Sequence, residues 1–370
     1  MIDGKFVFNA VAHAYNLTDD NTHKTRHAQS LRDLLVILHR DWQPGLGLSQ
    51  EEQETDWPIE IVARTLFLES DCDMAATHTL RLDSYFKDGL CARSKMVEAV
   101  RRWPQRFVGY VGVDPTAGLD VCLRELDEQM MELPQAVGLK LYPAQIDPIR
   151  SWRMDDPKLA FPIFKRAREH GLKIVAIHKA APLGAVPLNP FKVDDVDIAA
   201  DQFPELAFEI IHAGYAFTEE TCMAMARYPN VYGNLEITSA FATKAPGMFE
   251  ELMGQFMYWA GSSKVIFSDG NMVFHSQPIL EKIRDFRFQE TTMKRWGIPQ
   301  ITDEDKALIL GGNFARILGI DIEAAKKRIA NDEFSKERAR TGIQPIYSNW
   351  RKYIRESGLA VPARGLSRRG

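Results

Sequence analysis

Cysteine is scarce and scattered in this chain of 370 residues: Cys72, Cys91, Cys122 and Cys222 are its four, and no two form a CxxC pair. That excludes a disulfide framework and a thiolate zinc knuckle; with 13 methionines it predicts a reducing, cytoplasmic setting. Long apolar runs are also missing. Leu34–Leu38 is too short to cross a bilayer, so no membrane partner is expected. The opening MIDGKFVFNAVAH lacks a basic region followed by an apolar one, which argues against a signal peptide. Charge of one sign is not in excess: the formal net charge is −4, which offers no footprint for nucleic acid. No P-loop, GxSxG or dinucleotide GxGxxG motif occurs, and no repeat of fixed period is found.

What is present is a rhythm. The chain is 45% hydrophobic and 26% charged, ordinary for a globular protein with a large core. Short β-branched runs alternate with helical patterns, which argues βα units and a parallel sheet. The strand candidates are Lys5–His13, Asp73–Leu80, Arg106–Val113, Ala136–Tyr142, Lys173–His178, Leu206–His212, Val231–Glu236 and Lys264–Asp269. Eight is the number of a (β/α)₈ TIM barrel. Thr65–Glu69 competes with the second strand. Helices are expected after Asp155-Asp156-Pro157 up to Gly171, from Thr218, over Met248–Trp259, and over Asp303–Leu318 up to Gly319. Ala180–Val193 and Arg284–Ile301 read as loop and helical insertions. The barrel is assigned to residues 1–344. Residues 345–370 read as a C-terminal extension, its VPARGLSRRG end a disordered tail or an oligomer contact.

The polar residues fall where a barrel keeps its chemistry, at the C-terminal ends of strands. His13, His178, His212 and Asp269 end the first, fifth, sixth and eighth. His78, Asp114, Lys140, Tyr142 and Glu236 end others. A lone histidine at such a place is more often a hydrogen-bonding loop residue than a ligand. Four such groups at one mouth form a candidate ligand set for Zn, Fe or Mn. His78, close to the mouth, is a candidate to support a metal-binding side chain; Tyr15, Asn16 and Tyr215 flank mouth histidines and either position substrate, orient imidazoles or simply pack. His39, His170 and His275 read as surface or loop residues.

In this order, the stretches VAHAY, GLKLYP, IVAIHK, FPELAFEIIHAGYAF, YPNVYGNLE, IFSDG and GGNFARILGI resemble the amidohydrolase-related family, which includes aminocarboxymuconate semialdehyde decarboxylase. The resemblance runs from Phe6 to Ile320. It implies that His13 matches the second histidine of the first-strand HxH pair, that His178 and Asp269 match metal ligands, and that His212 matches the acid/base beside the metal. His212 and Asp269 are therefore the catalytic candidates. One departure stands out: the first HxH histidine is Val11 here, and the preceding acidic position is Asn9. Valine cannot bind a metal. Downstream, His23 and His27 are spaced i, i+4, and on a helix both imidazoles reach one ion.

NAVAHAYN with HxxxH also resembles a smaller set in the family, dinuclear-metal monooxygenases such as the two-subunit 2-aminoisobutyrate hydroxylase. That resemblance implies a second metal, with Glu69 and Glu236 as candidate bridging carboxylates that could equally be structural. Lys140 sits where some binuclear members carry a carbamylated lysine, against the plainer reading of a lysine paired with a carboxylate. Three functions follow. The first is an Fe/Fe or Mn/Fe monooxygenase that uses dioxygen to hydroxylate a small amino-acid-like substrate such as 2-aminoisobutyrate, in a hetero-oligomer with a paralogous barrel subunit. The second is a Zn- or Mn-dependent decarboxylase or hydrolase with His212 as acid/base. The third is a metal-binding scaffold subunit of a heteromeric enzyme.

Overall fold

The computed structural model describes residues 1–43, 45–213 and 215–358. Eight parallel strands run in sequence order around the sheet: β1 (Phe8–Ala12), β2 (Met74–His78), β3 (Phe107–Gly112), β4 (Gly138–Leu141), β5 (Ile174–His178), β6 (Ala207–Ile211), β7 (Val231–Asn234) and β8 (Val265–Ile266). The last meets the first through Ala10 N–H donating to the Phe267 carbonyl at 3.1 Å and a parallel bridge between Ala12 and Asn271. The eight sequence-derived strands coincide with these, and the fold is a (β/α)₈ barrel. The strands are buried on both faces, which explains their continuous apolar runs.

Two packed clusters result. Phe8, Ala10, Ala76, Tyr110, Ile174 and Ala176 belong to an inner cluster, while the opposite strand faces and the helices form a larger outer one. Register shifts in β1 between Asn9 and Ala12, the mark of a bulge. As a result the neighbours Ala10 and Val11 both join the inner cluster, breaking the usual alternation. Val11 is thus a packing residue at the position where the family resemblance expects an imidazole.

Thr65–Glu69 is not a strand: most of it belongs to the helix Ile59–Phe67. The expected final helix is broken into Asp303–Ala307, a π turn over Leu308–Gly312, and Asn313–Leu318. The π turn lets the chain pass β1 closely; a Cβ on Gly311 would sit 2.5 Å from the Phe6 carbonyl oxygen. Gly319, at φ +68°, ends the helix as expected.

Part of the C-terminal extension is folded. Helix Ser348–Ser357 packs on the helix Ile59–Phe67; Tyr347 and Trp350 are fully buried, and Trp350 stacks on Trp57 at 3.9 Å. The segment VPARGLSRRG lies outside the described residues. Among the described residues, no helix is long and apolar enough to cross a membrane.

Candidate metal centre

β5 delivers His178 as its last residue, and β6 delivers His212 one position beyond its end. β7 delivers Glu236, and the β1 bulge delivers His13. The chain bends sharply here. Ala180, His212 and Ile237 follow three adjacent strands and all have positive φ (+61°, +65° and +61°). Each such conformation costs a non-glycine residue about 1–3 kcal/mol and persists only where surrounding structure enforces it.

The geometry of the two strand-end histidines fixes their protons. His178 Nε2 faces the Ala181 carbonyl at 2.7 Å, and His212 Nδ1 faces the Glu236 carbonyl at 3.1 Å. A carbonyl accepts only, so each of those nitrogens carries the N–H. Burial, then His212 and Lys140, hold His178 well below its ordinary pKa. Burial, then Lys140, depress His212 to about 3. Both rings are therefore neutral with one proton each. The remaining nitrogens, His178 Nδ1 and His212 Nε2, are lone pairs facing each other across 3.0 Å.

Two carboxylates and a third imidazole surround this pair. Glu236 Oε2 is 3.8 Å from His212 Nε2, and Glu236 Oε1 is 3.8 Å from His13 Nε2. Burial raises Glu236 to about 7, against the opposing pull of Lys140, with Asp269 adding to the rise. Burial also lowers His13, reinforced by Lys140 and His212. Asp269 is less available. Its Oδ1 accepts from Asn9 Nδ2 at 2.7 Å and from the Asn271 N–H at 2.9 Å, leaving Oδ2 buried without a partner. Asn9 Oδ1 in turn accepts from the Val11 N–H at 3.2 Å, so the β1 bulge and Asp269 are held by one amide.

The donor chemistry fits a divalent cation. His13 Nδ1, Glu236 Oε2 and Asp269 Oδ2 are buried with no hydrogen-bond partner. Two ligands bonded at about 2.1 Å lie about 3.0 Å apart in an octahedral arrangement and about 3.4 Å apart in a tetrahedral one; His178 Nδ1 and His212 Nε2 stand at 3.0 Å. Among the described residues, no three His, Cys, Asp or Glu side chains already close on one ion.

Three expected ligands sit elsewhere. Thr25 caps the helix Arg26–Trp42 by accepting from the Ala28 N–H, so His23 precedes the helix and shares no helical face with His27. His23 Nε2 lies 3.0 Å from the Asp83 carbonyl, and His27 Nδ1 lies 3.0 Å from Asp147 Oδ1. Glu69 is saturated: it accepts from the Tyr347 and Asn349 N–H groups at 2.6 and 2.8 Å, from Asn349 Nδ2 at 2.6 Å, and contacts His275 Nε2 at 3.1 Å. It anchors the C-terminal extension.

Other candidates divide similarly. Tyr15 and His78 flank His13, with ring centroids 5.5 and 5.0 Å away. His78 Nε2 meets the Ala10 carbonyl at 3.0 Å, and Tyr142 sits 5.1 Å from His178. Lys140 is buried, and among the described residues no carboxylate lies within salt-bridge distance of it; burial lowers its pKa against the opposing charges of Glu236 and Glu209. Asn16 closes a turn with Thr18, and Tyr215 stacks on Phe241 at the rim. His39 and His275 are fully buried rather than superficial; His170 does lie near the surface, on Asp127. Sequence reasoning passed over Glu209, which accepts from Tyr110 Oη at 3.0 Å and Asn234 Nδ2 at 3.1 Å inside the barrel. An acidic residue in the middle of LAFEIIH was the available signal.

A parallel barrel with imidazoles and a carboxylate gathered at its C-terminal mouth is the architecture of a (β/α)₈ enzyme scaffold. The chain belongs to the amidohydrolase family, whose model matches residues 27–320. No curated protein matches the chain. Among solved structures, an uncharacterized TIM-barrel protein from Bordetella bronchiseptica is similar at TM-score 0.58 and 16% identity, covering 85% of this chain and 98% of that one. A 5-carboxyvanillate decarboxylase from Sphingomonas paucimobilis is similar at TM-score 0.51 and 17% identity, covering 86% and 100%. Another, from Novosphingobium aromaticivorans and solved with bound manganese, gives TM-score 0.52 and 12% identity, covering 86% and 98%. At these identities the likeness concerns the fold.

Proposed function

We propose that this chain is a divalent-metal-dependent lyase or hydrolase that acts on a carboxylate or acyl group at the barrel mouth. One observation carries the reading: His178 Nδ1 and His212 Nε2 stand 3.0 Å apart, each on a ring whose other nitrogen faces a backbone carbonyl. Neutral imidazoles in that arrangement repel unless a cation accepts both. His178 and His212 would hold the ion, with His13 and Glu236 beside them. Manganese is the first candidate, since a similar decarboxylase was solved with it. A bound ion would supply Lewis acidity toward a substrate oxygen or an acidified water.

The chain's own residues do the rest. The Ala181 and Glu236 carbonyls lock both imidazole tautomers, so the donor nitrogens are aimed before anything binds. Lys140 is buried beside the site, where burial lowers its pKa against the opposing charges of Glu236 and Glu209. Tyr15 and Tyr142, both buried, pack beside His13 and His178. Turnover of a carboxylate or acyl substrate by Mn²⁺-loaded protein without oxygen supports this reading; absence of Mn²⁺ and Zn²⁺ uptake sinks it.

A second reading has its own observation. His178, His212 and Glu236 amount to two histidines and one carboxylate, the donor set of non-haem iron oxygenases. It keeps the dioxygen chemistry and the paralogous partner subunit implied by resemblance, but without His23, His27 and Glu69 as ligands. Oxygen-dependent product from Fe²⁺-loaded protein, alone or mixed with such a subunit, selects it.

A further inference from the structure

A cavity of about 680 Å³ opens beside His178. Its walls are Leu31, Leu34, Leu35 and Leu38 from the helix Arg26–Trp42 and Leu183 opposite. His178 and Ile237, the neighbour of Glu236, close its inner end. Arg26 and Asp33 stand at the rim and make no ion pair among the described residues. The two walls are tied together: the Ala185 N–H donates to Ser30 Oγ at 2.9 Å, and Gly184 adopts φ +79° where a Cβ would sit 2.9 Å from the Leu31 nitrogen. The same loop supplies the Ala181 carbonyl that orients His178.

Ligand sites for drug-sized molecules run about 300–1,000 Å³ and are mostly apolar with a few polar groups at one point. This cavity has that size and that layout. An amino acid as small as 2-aminoisobutyrate would leave most of it empty.

We infer that the cavity between the helix Arg26–Trp42 and the 181–184 loop takes the aliphatic chain of a medium- to long-chain carboxylic acid or acyl compound, whose polar head lies inward at His178. This rests on the proposed metal site for its chemistry but not for its binding. The inner end offers the His178 imidazole for the head. The leucines offer the chain a path outward to the rim.

The test uses the full chain, with and without Mn²⁺, titrated calorimetrically with octanoate, decanoate and dodecanoate below their micelle concentrations. Affinity is expected to rise roughly three- to four-fold for each added CH₂, in the metal-free protein as well. Leu34→Glu is expected to weaken dodecanoate at least ten-fold; should that variant melt early, Ile37→Glu, at a position 42% exposed on the same helix, replaces it. In the Mn²⁺-loaded protein, proton relaxation should broaden the α-methylene of dodecanoate more than its terminal methyl. Affinity flat with chain length, or stronger broadening of the methyl, overturns the inference. Mn²⁺ uptake without fatty-acid binding overturns the cavity assignment alone; fatty-acid binding without Mn²⁺ or Zn²⁺ uptake supports the cavity and removes the metal reading alone.

Discussion

His178 and His212 approach edge to face, with ring centroids 4.3 Å apart and Nδ1 of the first 3.0 Å from Nε2 of the second. Neither nitrogen carries a proton, because the Ala181 and Glu236 carbonyls hold the protons on the far side of each ring. The contact is therefore repulsive as it stands and attractive once a cation binds. It follows that metal affinity depends on both rings together. His212→Asn and His178→Asn are each expected to weaken Mn²⁺ by more than about 100-fold, beyond what loss of an orienting partner costs. Competition against a fluorescent chelator measures this; a loss under ten-fold in both variants contradicts it.

His23→Ala and His27→Ala are expected to leave Mn²⁺ affinity within two-fold of the parent. Their rings are engaged with the Asp83 carbonyl and the Asp147 carboxylate, away from the paired imidazoles. A large loss in either variant, measured in the same competition, returns that histidine to the ligand set.

These two histidines show where reading the sequence reached its limit. Strand ends were legible because eight apolar runs, each closed by a polar residue, leave little choice of register. His13, His178, His212 and Glu236 all came from that pattern. The i, i+4 spacing of His23 and His27 was real, but Thr25 starts the helix between them, and a cap is stronger local punctuation than a charge pattern. The choice between a bridging and a structural Glu69 was open in the sequence because its partners, Tyr347 and Asn349, lie far along the chain. The β1 bulge that turns Val11 into the core leaves no sequence mark beyond valine itself.

Glu209 gives a pH signature. Burial raises it from 4.5 to about 7, while the Tyr110 and Asn234 hydrogen bonds and Lys140 pull the other way. The folded state thus holds a proton that the unfolded state releases above 4.5, so this group's contribution to stability falls as pH rises from 4.5 through about 7. Glu209→Gln removes that dependence. Between pH 5 and 7 the stability difference should move toward the variant by up to roughly 1.4 kcal/mol per pH unit and flatten above pH 8. Urea denaturation of both proteins at several pH values checks this; parallel profiles contradict it.

The C-terminal clasp is separable from the chemistry. Glu69→Ala leaves the Tyr347 and Asn349 N–H groups buried and unpaired, at a cost of about 2–4 kcal/mol. Limited proteolysis should then cut within residues 345–358, while the parent resists. Unchanged melting temperature and unchanged cleavage would show that Trp350 stacking on Trp57 suffices to hold the segment.

The central claim is that one cation sits against His178 and His212, and Mn²⁺ electron spin-echo spectroscopy tests it most directly. At least one tightly bound Mn²⁺ per chain is expected, its echo modulated by two or more imidazole nitrogens and that modulation reduced in His212→Asn. Mn²⁺ that binds weakly, or binds without nitrogen modulation, would contradict it.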